Sequence, residues 1–302
     1  MIAMSIRCVL IVLLLILALP LQQAFADNKL TIYTVNYPLT YFAERIGGEH
    51  VNVVFPAPPD VDPAFWTPDT ETVRKYQQAD LIILNGAGYE KWTQKVSLPM
   101  LRIVDTSKAF KTKLIHIETN VTHSHGPGGD HSHGGTAFTT WLDFSQAALQ
   151  AESIYKALLR KAPNYAADFT KNFEGLKKDL LELDEQMAAM IVKKSGLPLV
   201  GSHPIYQYLA RRYNLNLKMV MWEPDADPSE TQWNHLQGLI KIHPAGWMIW
   251  EGEPLPESAE RLQDMNIQSQ VFSPCFARPH QGDFLTVMQQ NIKNMEIIFG
   301  PP

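Results

Sequence analysis

Residues 122–135 read THSHGPGGDHSHGG and hold His123, His125, His131 and His133, four of the ten histidines in the 302-residue chain. Neutral imidazole is a good ligand for zinc, copper, nickel and cobalt. Several imidazoles on one tether give loose, exchangeable coordination, and tracts of this composition point to metal contact. Glycine and proline supply much of the remainder, so the segment is predicted to be a flexible loop with no regular element. Tight structural zinc sites differ, because they use ligands fixed on folded elements, commonly with cysteine. The competing reading is a solvated low-complexity insert without a task. The tract lies inside the chain between apolar segments, which separates it from an expression tag.

The first 26 residues read as an export signal. Arg7 supplies the positive start, residues 9–19 are an apolar run, and Ala24-Phe25-Ala26 offers a small-residue cleavage site. The run is short for a membrane span, so cleavage and release into the periplasm is the expectation. Cys8 precedes the apolar run and gives no lipid attachment at the cleavage point. Removing residues 1–26 takes away one base and no acid, moving the formal charge from -5 to 25 minus 31, or -6. A mildly acidic chain with no basic tract argues against nucleic acid as a partner. Cys275 is then the sole cysteine, so no disulfide forms within one chain.

Beyond residue 27, strand-like and helix-like stretches alternate. Strands are predicted at 30–35, 51–55, 80–85, 101–104 and 114–117, and helices at 37–46 and 70–78, with a proline-rich loop over 56–69. Residues 164–194 contain no proline and one glycine. Phe169, Phe173, Leu176, Leu180, Leu183, Met187, Met190 and Ile191 recur there at helical spacing, which predicts one long amphipathic helix. Strands then follow at 199–200, 217–222, 247–250 and 270–272, and helices at 204–213, 229–242, 256–265 and 283–298. Such alternation implies α/β architecture with mainly parallel sheets and right-handed crossovers. The organisation expected is a signal over 1–26, an α/β lobe over 27–161 including the histidine tract, a linking helix over 162–195 and a second α/β lobe over 196–302.

Several segments, spread over nearly all of this span, carry a resemblance to a known family. They are DPAFWTPD (62–69), ADLIILNGAGYEKW (79–92), TTWLDF (139–144), GSHPIYQYLARRYNL (201–215) and VFSPC (271–275), with the histidine tract just before TTWLDF. In this order they resemble the periplasmic solute-binding proteins of zinc and manganese ABC transporters, of the zinc-uptake type. The resemblance implies a metal held in the cleft between two lobes by ligands at four positions. This chain departs from the pattern at three: Ala64 and Thr139 stand where histidines would, and Ser273 where an aspartate is frequent. His203 is kept.

One imidazole is too few for a tight zinc site, which normally has at least three protein ligands. Three explanations stay open. Other donors at predicted strand ends, Asp60, Asp62, Glu223, Glu251 and Glu253, complete the cleft; the histidine tract folds over it; or the cleft no longer takes a bare ion. Glu251 directly follows an apolar strand, a site position, whereas the acidic segment 222–230 that contains Glu223 reads as a solvated loop. His203 sits in a Gly-Ser-His-Pro turn at a strand-to-helix junction and is favoured as a ligand. His50, His116, His235, His243 and His280 are scattered and read as surface residues. Trp66, Trp141, Trp222 and Trp250 fall beside the same strand ends and would suit a larger ligand.

The reading that combines these features is a periplasmic receptor for a divalent ion, zinc first, with manganese or another divalent metal as alternatives. Its implied partners are an ABC permease and its ATPase, and a monomer is expected. The ligands expected are His203, Glu251, Asp62 and the four histidines of the tract. The alternative is a receptor for a metal chelate or small organic solute in an aromatic-lined cleft. An enzyme is not expected, since the chain has no H-E-x-x-H, no G-x-S-x-G and no Cys-His nucleophile pair.

Overall fold

Short β-branched and aromatic runs alternate with amphipathic helices, and the runs pair into two parallel sheets. A computed structural model describes residues 29–59, 61–117, 122–125, 129–132 and 135–300. The expected export signal, Asp60 and His133 lie outside the described residues.

In the first lobe β1 (Leu30–Thr34), β2 (Val51–Val54), β3 (Leu81–Leu84) and β4 (Ile103–Asp105) form a sheet in the order β2-β1-β3-β4, all parallel. Helices α1 (Tyr37–Gly47) and α2 (Thr70–Gln78) make the crossovers. Asn36 and Asp69 cap them by accepting backbone N–H bonds from Leu39 and Thr72. The predicted strand at 101–104 begins later, because Met100–Arg102 is a 3₁₀ turn that leaves Leu101 98% exposed.

The histidine tract departs from expectation. Outside it, β5 (His116–Ile117) pairs with β8 (Gly135–Thr136). Within it, β6 (Thr122–His125) and β7 (Gly129–Ser132) form an antiparallel ribbon with His123 opposite His131. Two segments of the tract thus pair as strands, against the expectation of no regular element.

Helix α3 (Phe144–Lys161) was not predicted. Its buried face is built largely from Ala147, Ala148, Ala151, Ala157, Gln146 and Gln150, so it lacks the bulky apolar period that marks a helix. The long helix is α4 (Ala166–Ile191), and all eight apolar positions named for it are buried. It packs on α1, α3 and the closing helix. Each fully buried Leu or Phe contributes roughly 2 kcal/mol.

The second lobe repeats the first. β9 (Pro198–Gly201), β10 (Asn216–Met219), β11 (Trp247–Trp250) and β12 (Gln268–Val271) form a parallel sheet in the order β10-β9-β11-β12. Around it lie α5 (Gln207–Tyr213), α6 (Glu230–Ile242), α7 (Pro256–Asp264) and α8 (Phe284–Phe299). Ser229 and Gln232 make a capping box at α6. α5 starts at Gln207, three residues later than predicted, because residues 203–206 form a turn closed by the Ile205 N–H donating to the His203 carbonyl at 2.9 Å. The two lobes are tied by hydrogen bonds at several points. Trp141 Nε1 donates to the Pro274 carbonyl (2.7 Å), the Tyr37 N–H to the Phe276 carbonyl (2.9 Å) and Tyr208 Oη to the Ala137 carbonyl (2.9 Å). Among the described residues no helix is long and apolar enough to cross a membrane.

Two of the scattered histidines are not surface residues. His243 is 7% exposed, with Nε2 2.9 Å from the Leu199 carbonyl. The His50 ring stacks on Tyr165 at 3.8 Å and its Nε2 meets Asp168 at 2.9 Å. Spacing along the chain says nothing of such partners, which come from distant segments. His116, His235 and His280 are exposed, as expected.

Candidate metal centre

In a parallel sheet the carboxyl ends of the strands all open on one edge, and a crevice forms where the strand order reverses. In the order β10-β9-β11-β12 that reversal lies between β9 and β11. His203 follows β9 by two residues, and Glu251 follows β11 directly. Glu223 comes from the segment after β10, where the Trp222 N–H donates to the Ser202 carbonyl at 2.7 Å and holds the chain against the β9 exit. Ligand atoms of His203, Glu223 and Glu251 all lie within 4.8 Å of one another.

His203 is 5% exposed, and its Nδ1 lies 2.9 Å from Glu223 Oε1. The ring also hydrogen-bonds the Trp222 backbone, the kind of contact that fixes the tautomer of a ligating histidine. Burial lowers the His203 pKa, but the hydrogen bond to Glu223 and the charges of Glu251 and Glu223 outweigh it and hold the imidazole above its ordinary value. Burial pushes the Glu251 carboxyl up to about 8, with His203 pulling the other way and a hydrogen bond to Glu223 adding to the rise.

Asp62 arrives from the first lobe, on the loop after β2. Its turn is fixed by the Ala64 N–H donating to Asp62 Oδ1 at 2.8 Å, and by the Phe65 and Trp66 N–H groups donating to its carbonyl. Burial raises Asp62 to about 6, against the Ala64 hydrogen bond and the charge of His203. It therefore lies in the field of the second-lobe cluster, although the tight group of three does not include it.

The donor chemistry fits a divalent ion. Zinc accepts imidazole nitrogen and carboxylate oxygen alike, at about 2.0–2.2 Å, and the three residues offer both. The group is two carboxylates and one imidazole, and Asp62 adds a third carboxylate to its surroundings.

The structure thus brings together His203, Glu251 and Glu223, with Asp62 facing them. The side chains of His123, His125, His131 and His133, and all of Asp60, fall outside what is described. Glu253 is exposed. Glu223 is the correction: its acidic neighbours suggest a solvated loop, yet it lies against His203. A usable signal was present in the repeated Trp-Glu pair, 222–223 and 250–251, each after an apolar strand. Trp141, Trp222 and Trp250 are at most 1% exposed and belong to the core, not to the walls of a cleft. Trp222 and Trp250 pack with their ring centroids 6.0 Å apart, because a strand that exits into a site still faces its own helices. Ala64 is buried, the Thr139 hydroxyl donates to the Ile205 carbonyl, and Ser273 is engaged by Asn291 at 2.7 and 2.9 Å.

Among the described residues, the reversal point of the first sheet, between β1 and β3, holds no such cluster. Asn36, Asn85, Thr106, Thr140 and Gln150 fill it with an amide and hydroxyl network, including Gln150 Nε2 donating to Asn85 Oδ1 at 3.1 Å. Beside it the Glu90 carboxyl is 7% exposed and accepts the Gly86 N–H at 3.0 Å. Gly86 has φ +73°, and a Cβ there would stand 2.1 Å from Asp105 Oδ1, so only glycine presents this N–H. Burial pushes Glu90 up to about 8 from an ordinary 4.5. The folded state therefore keeps a proton that the unfolded chain releases above about 4.5, and stability falls as pH rises from there to about 8. Glu90→Gln keeps the acceptor and removes the titration. Its melting temperature should exceed that of the wild type by about 2 °C or more near pH 8 and by less near pH 5. Equal differences at both pH values in calorimetry would refute the assignment.

A two-lobed α/β protein with donors converging at a strand-order reversal is a solute-binding architecture. The sequence matches the family described as zinc-uptake complex component A, periplasmic (ZnuA), over residues 32–297, and the chain belongs to that family. It is 24% identical over 291 residues to the zinc-binding lipoprotein AdcA of Streptococcus pneumoniae, covering 91% of this chain and 57% of that protein. It is 26% identical over 245 residues to the metal ABC transporter substrate-binding lipoprotein SloC of Streptococcus mutans, covering 76% of each. Its fold is similar to that of the metal-dependent lipoprotein YcdH of Bacillus subtilis, with a TM-score of 0.76 at 20% identity, covering 89% of this chain and 99% of that one. The chain thus spans little more than half the length of AdcA.

Proposed function

We propose that this chain is the exported solute-binding component of an ABC transporter, capturing a divalent metal ion, zinc first, and passing it to a membrane permease driven by an ATPase. The observation that carries this reading is the His203–Glu223–Glu251 group at the strand-order reversal, with Asp62 facing it from the other lobe. Membership of the ZnuA family and the likeness to AdcA and SloC support it. Residues from both lobes meet at the site, so an ion bound there stabilises one arrangement of the lobes, and that arrangement is what a permease reads. The histidine tract serves as a second, weaker collector of ions.

The test is a calorimetric zinc titration of the full chain beside a variant lacking residues 122–135. The full chain should bind one ion tightly and others more weakly, and the deletion should remove only the weaker ones. Absence of any divalent binding in the intact protein would end this reading. A second reading has its own support. With two carboxylates to one imidazole, and Asp62 nearby, the cluster is harder than a histidine-rich site and favours manganese more than such a site does. Competition between manganese and zinc for the tight site separates the two.

A further inference from the structure

The backbone that presents His203 is held differently on its two sides. Before it, Ser202 belongs to the second-lobe sheet: its N–H donates to the Ile249 carbonyl at 2.9 Å, and its carbonyl accepts the Trp222 N–H at 2.7 Å. After it, residues 203–206 leave the sheet in the turn closed by the Ile205 N–H and the His203 carbonyl, 2.9 Å apart. Pro204 has no N–H to give, and Gln207 Nε2 reaches back to the Pro204 carbonyl at 2.8 Å. Both of these bonds are local to the turn. The Ile205 carbonyl is met from outside: the Thr139 hydroxyl, from the first lobe, donates to it. Among the described residues nothing else donates to that carbonyl.

The bond is buried, and it crosses between the lobes. Thr139 is 4% exposed and His203 5%. A buried carbonyl that loses its donor is penalised, so the turn would shift to pair it again. Thr139 is itself fixed by the 3₁₀ turn Thr140–Leu142 that follows it, where the Leu142 N–H donates to its carbonyl at 3.2 Å. Nearby, Tyr208 Oη on α5 donates to the Ala137 carbonyl (2.9 Å) and accepts the Ile115 N–H (3.2 Å). The stretch 137–139 is therefore tied to the second lobe at two points, and of these the Thr139 point bears directly on the turn of His203.

We infer, resting on the function proposed above, that Thr139 is a positioning residue of the metal centre: from the first lobe it pins the turn that carries His203. The strength of metal binding then depends on a bond between the lobes as well as on the ligands. By linkage, an ion that needs His203 in this place stabilises the Thr139–Ile205 contact, and the contact in turn favours the ion. Groups that orient metal ligands typically change affinity by about ten- to a hundredfold. Thr139 acts through the backbone of a turn, which places its effect at the lower end.

Thr139→Val keeps the shape of the side chain and removes the hydroxyl. Zinc affinity at the tight site, measured on the full chain by competition with a chromophoric chelator, should fall about tenfold. Thr139→Ser, which restores the hydroxyl, should bind zinc within about twofold of wild type. Tyr208→Phe cuts the other tie, away from the turn. It should lower the melting temperature of the metal-free protein yet leave zinc affinity within about twofold of wild type. If circular dichroism shows that Thr139→Val does not fold, Thr139→Ala against Thr139→Ser makes the same comparison with less buried bulk. Zinc binding by Thr139→Val within about twofold of wild type, no recovery in the serine variant, or an equal loss in Tyr208→Phe would overturn the proposal. A wild type without a tight zinc site would overturn the proposed function and this role with it, whereas a tight site indifferent to Thr139→Val refutes the role of Thr139 alone.

Discussion

His203→Ala should weaken zinc binding by about a hundredfold or more, a loss of about 3 kcal/mol. His203 is the one imidazole in the cluster, and its Nδ1 faces Glu223 at 2.9 Å while the ring is held by the Trp222 backbone. Removing it takes away the softest donor and deprives the partly buried carboxylates of its positive charge. Those carboxylates would then hold protons more strongly, so the ion must displace them as well as find fewer ligands. Competition with a chromophoric zinc chelator gives the dissociation constant. Tryptophan emission gives a second readout, since Glu223 and Glu251 each follow a buried tryptophan in the chain. His235→Ala, an exposed position, serves as the control and should change neither. If His203→Ala binds within about twofold of wild type, the ion is held elsewhere, and the histidine tract becomes the place to look.

The second large effect is on pH. Metal ligands must be deprotonated before they coordinate, so binding releases whatever protons the free site holds. Burial raises Glu251 to about 8 and Asp62 to about 6, and His203 stands above its ordinary value. Near neutral pH the metal-free site therefore carries at least one proton, and capture of zinc should release it. Calorimetry in two buffers of different ionisation enthalpy counts the protons. Affinity should fall about tenfold for each unit of pH per released proton, or roughly a hundredfold from pH 8 to pH 6. Stability is linked with the opposite slope. The folded Glu251 holds its proton to about 8, whereas the unfolded carboxyl loses it above about 4.5, so the metal-free protein loses stability as pH rises through that window. Zinc removes this penalty, and the rise in melting temperature on adding zinc should be greater at pH 8 than at pH 6. No proton release at pH 7 together with a flat affinity profile would contradict the described cluster.

Parts of this architecture were legible in the residues themselves. The long helix was read from eight apolar positions at a 3.6-residue period, and all eight are buried in α4 (Ala166–Ile191). The strand 247–250 and the helix 70–78 were read to the residue, because the first is an uninterrupted apolar run and the second is bounded by an aspartate cap. Helix α3 was not legible, since its buried alanines and glutamines leave no bulky stripe to count. The family could be recognised from the order of its motifs, even with Ala64, Thr139 and Ser273 at positions where the resemblance implied ligands.

What the sequence determined by itself was a pair of α/β lobes, one histidine in a strand-end turn and a surplus of acids near other strand ends. Local pattern reaches that far because hydrophobic period and turn chemistry are properties of neighbouring residues. Which acids gather near His203 was decided by the tertiary structure. Glu223 reads as a loop acid until the bond from Trp222 to Ser202 sets it against His203, and Asp62 matters only because the other lobe presents it to the same crevice. Trp222 and Trp250 turned inward for the same reason. A site assembled from four strand ends and two lobes is defined by distances across the fold, and those distances are set by packing, not by spacing along the chain.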